Sequence, residues 1–214
     1  MSRSTSEQGL RVGSPCHKCG KPLTSTLVCL ECGTLMEIGE FDPFGAFGLD
    51  VAVAVDEFAL RKSLVRLQRA LHPDFFATKG EDARAAAERA SSELNAAFEV
   101  LSDAGRRGDW IVGRLGGPTK EDERAMPQEF LLEVLEWNET LEEAREAGDA
   151  RDRAALASLK DALEEARAET LEALERSLEP LPERGSDRLR DARKRLNALR
   201  YVDRALDEVA RLVD

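Results

Sequence analysis

No stretch of this chain approaches the eighteen or so consecutive apolar residues that a membrane-spanning helix needs. Aromatic residues make up only 5% of its 214 positions, with a single tyrosine, while Ala, Leu, Glu and Arg dominate. That balance argues against a sheet protein and favours helices. Histidine is scarce, with 2 in all, and no Gly-rich phosphate loop, nucleophile elbow or His–carboxylate cluster is present. A catalytic site has nothing to be built from, so the expectation is a non-enzyme. Residues Met1 to Gly13 lack the apolar stretch of a secretory signal and carry Glu7, so they read as a disordered tail. A cytoplasmic location follows, with a mitochondrial matrix as the alternative. Basic residues are outnumbered: the net charge is −11, and residues 119–214 hold −9 of it. Partners among nucleic acids and membranes are therefore not expected.

Cysteine is sparse too, but its four positions are patterned. Cys16 and Cys19 form one Cys-x-x-Cys pair, Cys29 and Cys32 a second, and each pair is followed by glycine, Gly20 and Gly33. Two such knuckles supply four thiolates, the ligand set of a closed tetrahedral zinc site, and the glycines let the backbone turn around the ion. A segment of this size buries little core, so the ion would supply most of its folding energy. Two disulfides, a redox role for the Cys-x-x-Cys pairs, and iron in place of zinc are the alternatives. His17 is surplus to the four-sulfur shell.

Between residues 56 and 101 lie two amphipathic helical stretches. Leu60, Leu64, Leu67 and Leu71 recur at four, three and four, with Asp56 placed to cap the helix they define. Arg61, Lys62, Arg66 and Arg69 fall off that stripe. Pro73 stops the helix at His72. A second stripe, Ala87, Ala90, Leu94, Ala97 and Leu101, follows after a short hinge, and the two should pack as an antiparallel hairpin with His72-Pro73-Asp74 exposed at its tip. An ordinary turn beside a solvated basic face is the bland alternative. A His-Pro-Asp turn between antiparallel helices, the first of them basic, resembles the J domain, the module that drives the ATPase of DnaK-type chaperones.

The remaining chain reads as a further short helix carrying Trp110, Ile111 and Leu115, a polar connector, and three helices near 128–147, 150–178 and 187–213. Phe130, Val134, Trp137 and Leu141 make the core stripe of the first. Leu156, Leu159, Leu163, Ala166, Thr170, Leu174 and Leu178 make that of the second, and Leu189, Ala192, Leu196, Leu199, Leu206 and Val213 that of the third. Leu132 and Leu135 fall roughly 140–200° away from Phe130 at about 100° per residue, beside Glu136, Glu139 and Glu143. Tyr201 falls opposite the stripe of the last helix. Two outward leucines bordered by a carboxylate row look like a partner site.

The chain as a whole resembles HscB-type J-proteins, co-chaperones of iron–sulfur cluster assembly, from about Phe44 to Val213. The resemblance rests on Leu67-Gln68-Arg69 leading into His72-Pro73-Asp74 with Phe76, on Leu94-Asn95-Ala96-Ala97-Phe98, on Arg107 and Trp110-Ile111, on Glu129-Phe130-Leu131-Leu132-Glu133 through Glu136, and on Leu199-Arg200-Tyr201. Some members also carry an amino-terminal double Cys-x-x-Cys knuckle. The resemblance implies a mainly α fold: a disordered tail over 1–13, a zinc knuckle or ribbon over 14–42, a helical J domain over 43–117, a linker over 118–127 and a three-helix bundle over 128–214. It implies that His72, Pro73, Asp74, Arg61, Lys62, Arg66 and Arg69 engage a specialised DnaK-type, HscA-like chaperone and stimulate its ATPase. It implies that Leu131, Leu132, Leu135, Glu136, Glu139, Glu143 and Tyr201 bind an IscU-type cluster scaffold, and that Cys16, Cys19, Cys29 and Cys32 hold one structural zinc ion. Phe75 departs from the family, which usually has Lys or Arg there. A J-protein for another client, or a zinc-ribbon nucleic-acid factor, are the alternative functions.

Overall fold

The computed structural model describes residues 11–147 and 152–213. Most of the expected amino-terminal tail, and the expected start of a helix at 150, lie outside the described residues. Seven α-helices appear among them: α1 (Pro43–Phe47), α2 (Glu57–Leu71), α3 (Glu81–Ser102), α4 (Ala104–Arg114), α5 (Phe130–Ala147), α6 (Arg153–Leu178) and α7 (Asp187–Val213). No strand longer than an isolated bridge occurs among the described residues. The fold is mainly α, as composition and periodicity require. Packing divides the chain into two compact units, residues 1–106 and 107–214.

In the first unit, helix starts and stops follow local chemistry. The Asp56 carboxylate accepts a hydrogen bond from the Ala59 backbone N–H at 3.0 Å, satisfying a donor that the first turn leaves unpaired. Asp42 does the same for Gly45 at the start of α1, with Pro43 preset for the first helical position. Helix α2 stops at Leu71 because Pro73 pushes His72 to ψ 125°, well outside the helical region. Its inner face, Leu60, Leu67 and Leu71, packs on Ala87, Ala90, Leu94, Ala97 and Leu101 of α3. Leu64, the fourth member of the expected stripe, is only half-buried. The alanines let the two backbones come close, and the Ser91 hydroxyl donates to the Leu71 carbonyl at 3.2 Å across the pair.

The cysteine-bearing segment docks on α1. Thr26 N–H donates to the Gly45 carbonyl at 3.0 Å, and the buried Ser25 hydroxyl donates to the Ala46 carbonyl at 2.7 Å. Gly48, at φ 73°, is required at this seam: a Cβ there would run into the Thr24 carbonyl oxygen.

In the second unit, the three long helices bury Phe130, Val134, Trp137 and Leu141 of α5 against Leu159, Leu163 and Ala166 of α6 and Ala198, Val202, Ala205 and Val209 of α7. The α5 stripe is the one its sequence spacing gives, and in α6 only Thr170 falls short of full burial. In α7 the expectation is half right. Leu189, Ala192, Leu196 and Leu199 are buried, but Leu206 is half-buried and Val213 is exposed. The helix instead continues its contact through Val202, Ala205 and Val209, small side chains that permit close helix packing. Ser186 precedes α7, and its buried hydroxyl has no hydrogen-bond partner among the described residues.

A charged anchor joins α4 to α7. Arg193, only 3% exposed, donates to an Asp109 carboxylate oxygen and to the Pro118 carbonyl, the latter at 2.8 Å, while Arg200 meets the other Asp109 oxygen at 3.0 Å. Asp109 is itself 41% exposed, but its removal leaves the buried Arg193 guanidinium without a carboxylate, and an unsatisfied buried polar group costs roughly 1–3 kcal/mol. Asp109→Ala is therefore expected to lower stability by an amount in that range in urea denaturation. A loss below about 1 kcal/mol would mean that Arg193 finds water or another acceptor. The polar connector of residues 119–127 is likewise tied down: Asn197 donates its side-chain amide to the Glu123 and Ala125 carbonyls, each at 2.9 Å.

Candidate functional site

Three groups of side chains stand out, two in the first unit and one in the second. The four cysteine sulfurs, placed on two similar turns, lie within 4.8 Å of one another. In each turn a glycine at positive φ, Gly20 (71°) and Gly33 (67°), closes the loop by donating its N–H to the carbonyl of the first cysteine, Cys16 or Cys29, at 2.8 Å. Sulfur pairs Cys16–Cys32 and Cys19–Cys29 are 3.7 Å apart, and all four cysteines are free of disulfides. A tetrahedral ion with metal–sulfur bonds of about 2.3 Å sets its ligands about 3.8 Å apart, so the spacing fits an ion and is far too long for S–S bonds.

Electrostatics agree with that fit. Hydrogen bonds from the Thr34 hydroxyl and backbone draw the Cys32 thiol down to about 6, and the Cys19 and Lys18 backbone N–H groups lower Cys16. The Lys21 N–H acts on Cys19 in the same sense, but desolvation and the neighbouring sulfurs outweigh it and push that thiol up to about 12. Four crowded sulfurs cannot all ionise beside one another, and a divalent cation removes the conflict. The four cysteines are arranged to hold a metal ion.

At the tip of the hairpin, Pro73–Phe75 forms a single 3₁₀ turn with His72 just before it. The His72 imidazole is exposed. Its Nδ1 accepts from the Asp74 backbone N–H at 3.3 Å and lies 3.6 Å from an Asp74 carboxylate oxygen. Pro73 is half-buried and Asp74 exposed. Phe76, buried, fixes the turn to the hairpin, while the Phe75 ring stands edge-on to His72 at 6.3 Å and is 65% exposed. Arg61, Lys62, Arg66 and Arg69 are all exposed on α2. Arg61 approaches Glu57 at 4.0 Å and lies over the Phe98 ring. Lys62, Arg66 and Arg69 have no carboxylate at ion-pair distance among the described residues.

On α5 the structure exposes Leu132 (71%) and Leu135 (67%), with Leu131, Glu136, Glu139 and Glu143 also outward. Leu131, which a helical wheel puts near the core boundary, joins this face. Tyr201 does not stand outward with it. Its ring is half-buried, stacked on Trp137 at 6.4 Å and edge-on to Phe130 at 6.0 Å, and its hydroxyl donates to the Asn138 side chain at 2.7 Å. Because α7 buries Ala198, Val202 and Ala205, Tyr201 sits beside its contact stripe and not opposite it. Burial first, and then Glu169 and Glu136, raise the Glu133 carboxyl above the usual range, so the acidity of this end of α5 is felt by its own side chains.

Sequence reasoning missed Phe58 and Val65, which are exposed on α2. Their separation of seven residues, with Lys62 between them, was the available signal.

A helical hairpin with an exposed His-Pro-Asp turn, in a chain that continues into a helical bundle, is the arrangement of a J-domain protein. The model of the HSCB C-terminal oligomerisation domain matches residues 126–210. The chain is similar to the co-chaperone protein HscB homologue of Mannheimia succiniciproducens, 33% identical over 110 residues that cover 50% of this chain and 64% of the relative. It is similar to that of Bordetella pertussis at 33% over 127 residues, covering 59% and 72%. In fold it matches the crystal structure of human co-chaperone protein HscB, with a TM-score of 0.71 over 92% of this chain and 96% of that one at 24% identity. The chain belongs to the HscB co-chaperone family. It spans just under two thirds of the length of relatives such as the Mannheimia protein.

Proposed function

We propose that this protein is an adaptor of iron–sulfur cluster assembly in a bacterial cytoplasm, binding an IscU-type scaffold and delivering it to a specialised DnaK-type, HscA-like chaperone whose ATPase it stimulates. The observation that carries the reading is the pairing, in one family member, of an exposed His72–Asp74 turn beside unpaired cations with an exposed leucine face bordered by carboxylates. The cations of α2 attract an acidic chaperone surface and make that contact salt-sensitive. His72 and Asp74 then bias the chaperone toward its hydrolysing conformation, with no covalent step on this chain. Chemistry stays with the partner, and this chain is no enzyme.

Leu131, Leu132 and Leu135 supply the apolar centre of scaffold binding, and Glu136, Glu139 and Glu143 its charged rim. Tyr201 contributes by holding α5 in place and by presenting its ring edge. Four thiolates favour zinc as the resident ion: Cys16, Cys19, Cys29 and Cys32 would hold it, and the chemistry it would supply is structural.

Calorimetric titration with the scaffold tests the second half of this reading. Leu132→Ala combined with Leu135→Ala is expected to weaken binding by at least about tenfold, since buried interface leucines are replaced. Thermal stability should stay nearly unchanged, because both side chains are already in water. Full affinity in the double variant would move the scaffold site elsewhere.

A further inference from the structure

A groove of about 1170 Å³ lies within the first unit, between the second cysteine turn and the outward side of α2. Cys29, Leu30 and Gly33 form one wall. The opposite wall is a second stripe on α2: Phe58, Lys62, Val65 and Arg69 recur at four, three and four, roughly 200° from the buried Leu60 and Leu67 at about 100° per residue. Phe58 is 79% exposed, and Val65 and Phe75 are exposed beside it. Three large apolar side chains lining one groove in water mark a partner surface more than scattered exposure does. Arg61, Lys62, Arg66, Arg69 and Lys79 supply its charge, and no carboxylate lines it.

We propose that the second cysteine turn, facing Phe58 and Val65 of α2, is a second wall of the chaperone-docking surface, so that the acidic segment met by the α2 cations also seats apolar side chains in this groove. The inference rests on the adaptor reading above and deepens it. Charge selects the occupant: five cations and no lining carboxylate call for acidic residues. Continuity sets its path, because Phe75 and Phe76 line the groove directly after His72-Pro73-Asp74, so a segment seated there also meets the turn. Phe75 then has a purpose where the family usually carries a cation, as an apolar contact at the groove's end. The metal centre gains one as well. Leu30 follows Cys29 in a loop closed by the Gly33 N–H bond to the Cys29 carbonyl, so an ion held by the four sulfurs would stiffen the wall that the chaperone touches.

The test uses the full chain, the purified DnaK-type chaperone of the same host, and calorimetry, with Phe58→Ser, Leu30→Glu and His72→Gln compared. Neither of the first two replaces a sulfur ligand or a residue of the His72-Pro73-Asp74 turn. Each is expected to raise the Kd for the chaperone by about tenfold or more, with zinc content and helix content unchanged. Wild-type Kd in both, while His72→Gln still abolishes ATPase stimulation, would overturn the groove and leave the adaptor reading standing. If the unaltered chain neither binds nor stimulates the chaperone, both fall. Should Phe58→Ser instead abolish concentration-dependent self-association in sedimentation and leave the chaperone Kd alone, the groove belongs to a second copy of this chain, and the inference is overturned.

Discussion

Replacing His72 by Gln is expected to abolish stimulation of the partner chaperone's ATPase while leaving the fold intact. The imidazole is exposed, and its contacts are local: it accepts from the Asp74 backbone N–H and meets the edge of Phe75. Gln is similar in length and can still accept that bond. Surface changes of this kind move stability by no more than about 0.5 kcal/mol, so melting temperature and helix content should be unchanged within error. The loss of activity should be large because the side chain has little to stabilise within its own chain, which leaves recognition as its use. Phosphate release measured with and without the variant checks this. Unchanged stimulation would show that the turn is an ordinary helix stop.

Removing the metal should have the second large effect, and it should be confined to one segment. Around the four sulfurs the buried cluster consists of Cys16, Leu23, Cys29 and Met36, with Cys32 packed against it. So small a core cannot hold a chain together, whereas a structural zinc ion contributes an apparent 10–16 kcal/mol or so at neutral pH. Chelation, or Cys29→Ser, is expected to release amide protection across residues 14–36. Helices α2 and α3 should keep theirs, because Leu71, Leu94 and Leu101 form an independent core. Hydrogen exchange followed by mass spectrometry distinguishes the two. Loss of ion should also grow as pH falls, since protons compete for the thiolates. Protection in residues 14–36 that survives chelation would mean that backbone contacts to Gly45 and Ala46 suffice.

What was legible in the sequence follows a simple physical division. Helices α2 and α3 could be read because their leucine and alanine stripes are strong and their ends are marked by Asp56 and Pro73, all local signals. The four cysteines could be read because ligand spacing is itself local. The carboxy-terminal half of α7 was not: Leu189, Ala192, Leu196 and Leu199 are buried as their spacing predicts, but beyond them the packing face uses Val202, Ala205 and Val209, and not Leu206 or Val213. Arg193 was illegible for another reason: a buried guanidinium is tolerable only with Asp109, 84 residues away, and no spacing rule reaches that far. Phe58 and Val65 were not legible, because apolar periodicity marks the face of a helix that turns inward and theirs turns out. The outward position of Leu132 and Leu135 on α5 was legible because leucines that miss a core stripe stand out against it.

Both halves of the adaptor meet in one measurement: chaperone ATPase rate against concentration of this chain, with and without the scaffold. The account predicts that the chain alone stimulates and that scaffold adds a further increment. His72→Gln should remove both, and Leu132→Ala with Leu135→Ala should remove only the increment. A double variant that retains the scaffold-dependent increment, or a His72→Gln variant that stimulates normally, would contradict it.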